Sequence, residues 1–354
     1  MPSTLPKITI AIPVKNDAKG LEKCLKSIHR QTYPQKKLEL IVIDDHSTDN
    51  TPLVAKKMGA VVLKNIYTGK TIINTSEVGK KIGLHAATGK YIYILEQDIE
   101  LRGKNFFQKL VKPLEEDQTI SASFTREGVP NKRMSWPTRY ISYHPAQCDP
   151  IYEFFTPSIE STIISSKNGY YVCEYPPHNF PPFGRMMFRI DLIKKTEIWR
   201  WPGFFDLDSV ALLVKKGHNK FAYCPSPGIY HFHAKTLHSL VFKRVRNLHA
   251  HFFPYQGESH FKWFNTKSRK DVLKIVLWVI YANLIIPATI KGIYKSLKHK
   301  DQILLVEPVI ALLTTDILIF HFLKDANGRK MISKSLITLL SKNNHHPSPQ
   351  KRKI

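Results

Sequence analysis

The chain has 354 residues, a length that accommodates one large α/β domain with a smaller appendage. Hydrophobic residues make up 43% of it and charged residues 23%, which excludes a disordered chain and a membrane protein of many spans. Lysine and arginine number 53 against 28 aspartate and glutamate residues, so the formal net charge of +25 requires an anionic partner: nucleic acid, anionic lipid or a phosphorylated substrate.

Cysteine spacing and the N-terminal segment both indicate a reducing compartment. No two of the four cysteines have CxxC spacing, which argues against a zinc ribbon or a disulfide framework and favours free thiols. The first residues have no charged segment followed by a long apolar run, so we expect the first domain to lie in the cytosol.

Apolar runs alternate with helical patterns over the first hundred residues. The runs are short, rich in β-branched residues and typical of buried strands: Ile8–Pro13, Leu38–Ile43, Val61–Leu63 and Tyr91–Leu95. Helices are predicted between them at Asp17–Arg30, after the cap at Thr51–Pro52, and at Ser76–Thr88. The alternation predicts an α/β fold with a mostly parallel sheet and helices on both faces. In such a sheet, ligands bind beyond the carboxyl ends of the strands.

The pattern changes over residues 125–185, where proline and aromatic residues predict a loop-rich insertion. Regular spacing returns at Met186–Leu192. It predicts a short helix at Ser209–Lys216, closed by Gly217, and a strand at Phe221–Tyr223. From residue 242 the chain mixes basic and aromatic residues.

Two apolar stretches follow, Val272–Ile290 and Ile303–Leu323. The first would be about 28 Å long as a helix and could cross a bilayer. The second is less suited to crossing, because Glu307 and Asp316 would lie on opposite faces.

A two-span hairpin would put the lysine-rich connection outside the cell, against the positive-inside tendency. We therefore favour helices that lie in the cytosolic leaflet, with the connecting lysines at anionic headgroups: Lys291, Lys295, Lys298 and Lys300. Core helices of a soluble protein or of its dimer are the remaining alternative.

Carboxylates gather at the ends of two predicted strands. Asp44 and Asp45 end one strand, and Glu96-Gln97-Asp98 ends another. Carboxylates at one sheet edge repel each other unless a cation joins them, and Mg²⁺ or Mn²⁺ commonly takes one or two carboxylates together with substrate phosphates. The alternative is that these acids only form turns.

Three segments in this order resemble motifs of the family 2 glycosyltransferases. Pro13–Asn16 is similar to the family's Pro-x-x-Asn segment, Asp44–Asp49 to its Asp-Asp-x-Ser-x-x-Asp segment, and Glu96–Asp98 to its Asp-x-Asp motif. The resemblance covers the first hundred residues and resumes at Phe183–His233, on the family's acceptor side. It implies a GT-A fold, a nucleotide-sugar donor and a divalent metal.

The resemblance also implies roles for individual residues. Those expected to line the nucleotide base and ribose are Pro13, Asn16, Asp44 and Asp45. Glu96 would lie near the ribose or the sugar, and Asp98 would hold the metal. The chain departs from the family pattern in having Glu96 as the first acid of Asp-x-Asp and Lys81 in place of a frequent asparagine.

Inverting members of the family use a carboxylate as general base, usually before a short helix that ends in glycine. Asp206 and Asp208 both precede the predicted helix that ends at Gly217, and both remain candidates. The alternative is a helix cap at Asp208 or Ser209.

Basic and imidazole side chains near this helix are further candidates. His231 and His233 share one face of a predicted strand. The resemblance favours His233 as a residue that faces the metal or diphosphate; a structural histidine is the alternative. The segment Arg244–Asn247 either reaches the phosphate or the acceptor, or forms an ordinary solvated face.

These observations divide the chain into a GT-A glycosyltransferase domain at 1–240, an interfacial basic-aromatic segment at 241–271, two hydrophobic helices at 272–325 and a basic tail at 326–354. The predicted function is inverting transfer of a sugar from a nucleotide-sugar donor to a membrane-linked or glycan acceptor. We expect membrane association with the catalytic domain in the cytoplasm, and no nucleic-acid partner.

Two other functions are less consistent with the sequence. A nucleic-acid-binding protein would explain the charge, but carboxylates at the binding edge would repel phosphate. A sugar nucleotidyltransferase would need a glycine-rich, basic loop after the first strand, which residues 15–17 do not provide.

Overall fold

The computed structural model describes residues 5–66, 75–145, 150–177, 179–253 and 260–340. The strands in these ranges are β1 (Ile8–Val14), β2 (Leu38–Asp44), β3 (Val61–Lys64), β4 (Tyr91–Ile94), β5 (Ile99–Leu101), β6 (Ala122–Thr125), β7 (Ile163–Lys167), β8 (Tyr170–Glu174), β9 (Met187–Arg189), β10 (Lys220–Cys224) and β11 (Ile229–His231).

The α-helices in these ranges are α1 (Ala18–His29), α2 (Thr51–Lys57), α3 (Thr75–Ala86), α4 (Phe106–Glu116), α5 (Trp136–Ile141), α6 (Pro150–Phe155), α7 (Ile190–Lys194), α8 (Asp206–Lys215), α9 (Leu237–Asn247), α10 (Arg269–Asn283), α11 (Ile286–His299), α12 (Glu307–Lys324) and α13 (Ala326–Leu340). Short 3₁₀ segments cover Gln35–Lys37, Glu160–Thr162, Glu197–Arg200 and Gln302–Val306, and a π-helical segment covers Leu248–Phe252.

Nine strands form one sheet in the order β3-β2-β1-β4-β9-β6-β10-β8-β7. β1 runs parallel to β2 and β4, with Val14 opposite Asp44 and Ile8 opposite Tyr91. β9 and β8 run against their neighbours, so the other seven strands point the same way. The predicted mostly parallel sheet is confirmed in strand direction, and the carboxyl ends of β1, β2 and β4 meet at one edge.

Helices cover both faces of this sheet, as predicted. Successive residues of a strand point to opposite faces, so each central strand contributes to two separate hydrophobic clusters. Ile10 and Val42 pack in the cluster that contains the buried faces of α1 and α4. Ala11, Ile41 and Ile43 pack in the other, with α3, α7 and α8.

Residues 125–185 contain more regular structure than the predicted loop-rich insertion. Their described part includes the short helices α5 and α6 and the hairpin β7–β8, whose strand β8 pairs antiparallel with β10 at the end of the sheet. Both helices have six residues, too few for helical periodicity to stand out in a proline-rich sequence.

A second, two-stranded sheet pairs β5 with β11, with Ile99 opposite His231. Both strands have only three residues. Their pairing brings the segment after β4 beside the segment that carries the two histidines of the sequence YHFH.

The predicted helix over Val272–Ile290 is wrong as a single helix. α10 ends at Asn283 and α11 begins at Ile286, with an angle of 79° between them. Pro287 lies in the first turn of α11, where its ring conflicts with the carbonyl of Asn283 in a continuous helix. Ile285 takes up the change of direction with a positive φ of 61°.

The predicted basic tail begins with helix α13, which packs against α10 and α12. Residues 341–354, and with them the end of this tail, lie outside the described part of the chain. Cys24, Cys173 and Cys224 are buried free thiols, as expected, and Cys148 lies outside the described residues.

Candidate active site

The loops after β1 and β2 are held together by polar side chains at the carboxyl edge of the sheet. Asn16 has a left-handed backbone conformation with a φ of 50°, and its side-chain oxygen accepts a hydrogen bond from the Thr48 amide at 2.7 Å. The buried Asp44 carboxylate accepts from the Ser47 amide at 3.2 Å. The Asp44 side chain therefore stabilises the turn after β2, which was the alternative role predicted for the acids at this edge.

Asp45 and Pro13 lie at the same edge in different environments. The Asp45 carboxylate lies 3.3 Å from the Lys15 ammonium and accepts from the Asn65 side chain at 3.3 Å. Pro13 is buried beneath α3, where a Cβ on Gly79 would lie 3.0 Å from the proline Cβ. Of these two residues, only Asp45 has a side chain that can accept hydrogen bonds from a ligand.

Glu96 follows β4 and lies among cations. Its Oε2 is 2.6 Å from an Arg185 guanidinium nitrogen and 3.6 Å from His231 Nε2, and its Oε1 is 3.9 Å from the Lys80 ammonium. Burial alone would raise the pKa of Glu96, but the charges of Arg185 and Lys80 hold that pKa well below its usual range. Glu96 is therefore an ionised carboxylate whose charge is already balanced.

Asp98, His231 and His233 form a cluster in which one ligand atom from each residue lies within 4.8 Å of the others. His231 Nε2 is 3.4 Å from Asp98 Oδ1, and the Phe232 amide fixes the loop by donating to the Asp98 carbonyl at 2.9 Å. Asp98 Oδ1 and His233 Nε2 are buried and accept or donate no hydrogen bond among the described residues.

This cluster fits a divalent cation. One carboxylate and two imidazoles are a ligand set that Mn²⁺ and other first-row metals accept. Burial, reinforced by the charges of His231, Lys243 and Arg244, holds the pKa of His233 well below its usual range. His233 is therefore neutral, and the neutral imidazole is the form that ligates metals.

The two candidate bases face different partners. Asp206 is the first residue of α8, and its Oδ2 accepts a hydrogen bond from the Lys80 ammonium at 2.6 Å. Asp208 Oδ1 accepts from the backbone amide of Phe261 at 2.7 Å and so ties the chain after residue 260 to α8. The residue at the capping position is Phe205, without a side-chain capping bond, so neither Asp208 nor Ser209 is the cap.

Sequence reasoning missed a partly buried network of opposite charges at this edge. Its members on α3 are Glu77 and Lys80. Arg185 connects Glu96 to the buried Glu127, whose Oε2 lies 3.2 Å from the second terminal nitrogen of the guanidinium group. With 53 lysines and arginines in the chain, no sequence signal distinguishes these two cations from solvated ones. Lys81 instead donates to the carbonyls of Ile198 and Trp199.

The basic segment at 244–247 lies on α9. The neighbouring Lys243 donates to the His233 carbonyl, which connects this helix to the histidine cluster. Arg246 donates to the Asn247 side chain at 3.2 Å. One side of α9 is thus fixed next to the cluster, and the phosphate-binding role of the segment remains a prediction.

Comparison with known proteins identifies the family. The family model "Glycosyl transferase family 2" matches residues 9–194, and the chain belongs to that family. The predicted family and fold class are confirmed.

Individual relatives match only part of their length. The chain is 31% identical over 103 residues to glycosyltransferase AglE of Haloferax volcanii. The matched region makes up 28% of this chain and 32% of that protein. It is 33% identical over 102 residues to the GalNAc(5)-diNAcBac-PP-undecaprenol beta-1,3-glucosyltransferase of Campylobacter jejuni, covering 27% and 31%. The chain thus spans about a third of the length of these two relatives.

Solved structures are similar at lower identity. The mannosyltransferase PcManGT from Pyrobaculum calidifontis, in complex with GDP-Man and Mn²⁺, matches with a TM-score of 0.46 and 17% identity, covering 96% of this chain and 82% of that one.

The partly buried Glu77 carboxyl makes the stability of the protein depend on pH. Burial raises the pKa of Glu77 to about 7, although Lys80 opposes the shift. In the unfolded chain this group ionises near pH 4.3. Between those values the folded state binds more protons, so the stability that this group contributes falls as the pH rises toward 7.

We predict that Glu77→Gln removes this loss, because glutamine does not ionise. The free energy of unfolding of the variant, relative to the wild type, should be higher at pH 8 than at pH 5 in urea denaturation. The exposed Glu174→Gln serves as the control. A difference from the wild type that is the same at both pH values would contradict the assignment.

Proposed function

We propose that the protein is a metal-assisted, inverting glycosyltransferase that uses a nucleotide-sugar donor. The observation that carries the proposal is the Asp98–His231–His233 cluster, next to a sheet edge where the family's motif residues converge. A cation held by these three residues would neutralise the charge that develops on the leaving diphosphate.

The nucleotide fits the neighbouring part of the same edge. Asn16 and Asp44 give the loops after β1 and β2 a fixed shape, and Asp45 supplies a carboxylate that can accept hydrogen bonds from a ribose or a base. Pro13 would act by shaping this site from within the sheet. Glu96 would orient the donor through Arg185 and His231.

We assign the general base to Asp206 in preference to Asp208. The Asp208 carboxylate is used by the Phe261 backbone, whereas Asp206 belongs to the charged network at the carboxyl edge. In the reaction, the acceptor hydroxyl oxygen bonds to the anomeric carbon, the bond to the diphosphate breaks, and Asp206 takes the hydroxyl proton. A single displacement of this kind inverts the configuration at the anomeric carbon.

We further propose that the protein works at a membrane surface on a lipid-linked acceptor. The name of the Campylobacter relative includes an undecaprenol-linked acceptor, which supports this class of substrate. One helical segment of the described chain, Gln302–Lys324, is long and apolar enough to cross a membrane, and about a third of its apolar stretch is buried within the protein. By length and composition it is a better candidate for crossing than the bent α10–α11 pair.

The exposed apolar side chains of α10 and α11 favour an interfacial arrangement over a simple span. Large hydrophobic residues are solvent-exposed on both sides of the bend: Leu273, Leu277, Ile280, Leu284, Ile285, Ile286, Ile290, Ile293, Tyr294 and Leu297. Lys298 and Lys300 follow at the end of α11 and are exposed, so they can reach anionic headgroups.

Two of the lysines expected at headgroups have internal partners instead. Lys295 and Lys291 lie 2.8 Å and 2.9 Å from Glu153 of α6, and Lys291 lies 3.3 Å from Glu307 of α12. Glu307 also accepts a hydrogen bond from the Tyr140 hydroxyl of α5 at 2.8 Å. These contacts fix the C-terminal helices to the insertion between β6 and β9, which supports a constant orientation of the membrane surface relative to the site.

Substitution of the two candidate bases tests the catalytic proposal. Asp206→Asn should lower turnover by roughly 10²–10⁴, because the variant cannot accept the proton. Asp208→Asn is the matched control on the same helix turn, and it should lower stability far more than turnover. The measurement is release of nucleoside diphosphate from a panel of UDP and GDP sugars. A larger loss in Asp208→Asn would reverse the assignment, and full activity of Asp206→Asn would refute it.

Vesicle binding tests the membrane proposal. Ile286 and Ile290 are 70% and 62% exposed on α11, so Ile286→Glu and Ile290→Glu should abolish co-flotation with vesicles that contain anionic phospholipid. Ile164→Glu is the control, since Ile164 is 53% exposed on β7 and outside these helices. Unchanged flotation of both α11 variants would contradict the proposed surface, and a wild-type protein that never floats would contradict membrane association.

A further inference from the structure

Lys80 of α3 is a buried cation shared by three elements. Its side chain is 4% exposed, and its ammonium lies 2.6 Å from Asp206 Oδ2 of α8, 3.3 Å from Glu77 Oε2 on its own helix and 3.9 Å from Glu96 Oε1 after β4. One side chain thus touches the candidate base and the carboxylate of the donor side, which are 110 residues apart in sequence.

We propose that Lys80 is a positioning residue of the transfer site, which holds the Asp206 carboxylate in place through an ion pair and fixes its distance from the donor-side carboxylate Glu96. The proposal rests on the proposed function, in which Asp206 is the base. Lys80 itself touches no reacting atom in this account and acts through its partners.

The neighbouring lysine shows how a purely structural lysine is bonded in the same helix. Lys81 is also buried, 7% exposed, and it donates to the backbone carbonyls of Ile198 and Trp199. Within the described part of the chain, the ion pairs and hydrogen bonds of the Lys80 ammonium are instead with carboxylates. Burial of an ammonium group is strongly unfavourable unless anions compensate for it, and the closest anion to Lys80 is the Asp206 carboxylate.

The charges around Asp206 explain why a cation is needed there. Lys80 is its direct partner, Glu77 and Glu96 share that partner, and Arg185 and Glu127 act on it from the other side of the network. Three carboxylates and two cations therefore surround the base. Burial raises the pKa of Glu77 to about 7, so this carboxyl carries less negative charge near neutral pH than a solvated glutamate.

Loss of the Lys80 charge would leave Asp206 among like charges and so favour its protonated, inactive form. The acid side of the kcat/KM–pH profile should then move to higher pH. For each pH unit by which the acid limb moves, kcat/KM at pH values below the limb falls tenfold, while kcat/KM on the alkaline plateau changes less.

The experiment compares Lys80→Met, Lys80→Gln and Lys80→Arg with the wild type, and uses Lys81→Met as the matched control. Lys80→Met and Lys80→Gln should move the acid limb by about one pH unit or more, and Lys80→Arg should restore its position. Lys81→Met should lower the urea midpoint without moving the limb. Lys80→Gln keeps a hydrogen-bond donor of similar size, so it tests the charge if Lys80→Met does not fold.

A second readout is independent of turnover. In protein labelled with ¹³C at the aspartate carboxyl groups, the Asp206 signal is identified by its absence in Asp206→Asn, and its titration midpoint should rise in Lys80→Gln. An unmoved midpoint, or an equal loss of activity at every pH, would overturn the role of Lys80. Full turnover of Asp206→Asn together with a displaced midpoint would overturn the proposed base and leave the Lys80 contact supported.

Discussion

The burial of charged side chains at the carboxyl edge of the sheet is the constraint on which the site depends. Each ion removed from water costs several kcal/mol, so the carboxylates that a transferase needs there must be matched by cations within the fold. Lys80 and Arg185 provide that balance for Asp206, Glu96 and Glu127. Asp98 lies outside their reach among the described contacts and faces two histidines, which leaves it available to a metal ion.

Short elements decide where these side chains meet. The three-residue strands β5 and β11 pair so that the residues before β5 lie beside those that end β11, which creates the Asp98–His231 contact of 3.4 Å. At the other end of the chain, the bend between α10 and α11 turns apolar side chains outward, while Lys291 and Lys295 turn toward Glu153. The contacts of Lys291 and Lys295 therefore connect the helices that carry the exposed apolar surface to the insertion between β6 and β9.

The sequence predicts those parts of the fold that local periodicity determines. The strands that became β1, β2, β3 and β4, the helices between them and the meeting of their carboxyl ends all follow from patterns within a few residues. The Lys80–Asp206 pair joins positions 126 apart, and nothing local distinguishes it from other lysines and aspartates. The contact of His231 with Asp98 depends on the pairing of β11 with β5, which no local pattern in the sequence predicts. The break between α10 and α11 at Leu284–Ile285 does not interrupt the apolar pattern, and Pro287 is its only local signal.

Manganese binding tests the central claim most directly, namely that this sheet edge holds a divalent cation against a nucleoside diphosphate. The free Mn²⁺ signal in electron paramagnetic resonance would be titrated with protein in the presence of UDP or GDP. Asp98→Ala and His233→Ala should weaken Mn²⁺ binding at least about tenfold, because loss of even an outer-shell partner of a metal ligand commonly costs that much. Asp117→Asn, at the end of α4, should leave Mn²⁺ binding unchanged. Equal Mn²⁺ affinity in wild type and Asp98→Ala, with both nucleotides, would contradict this claim.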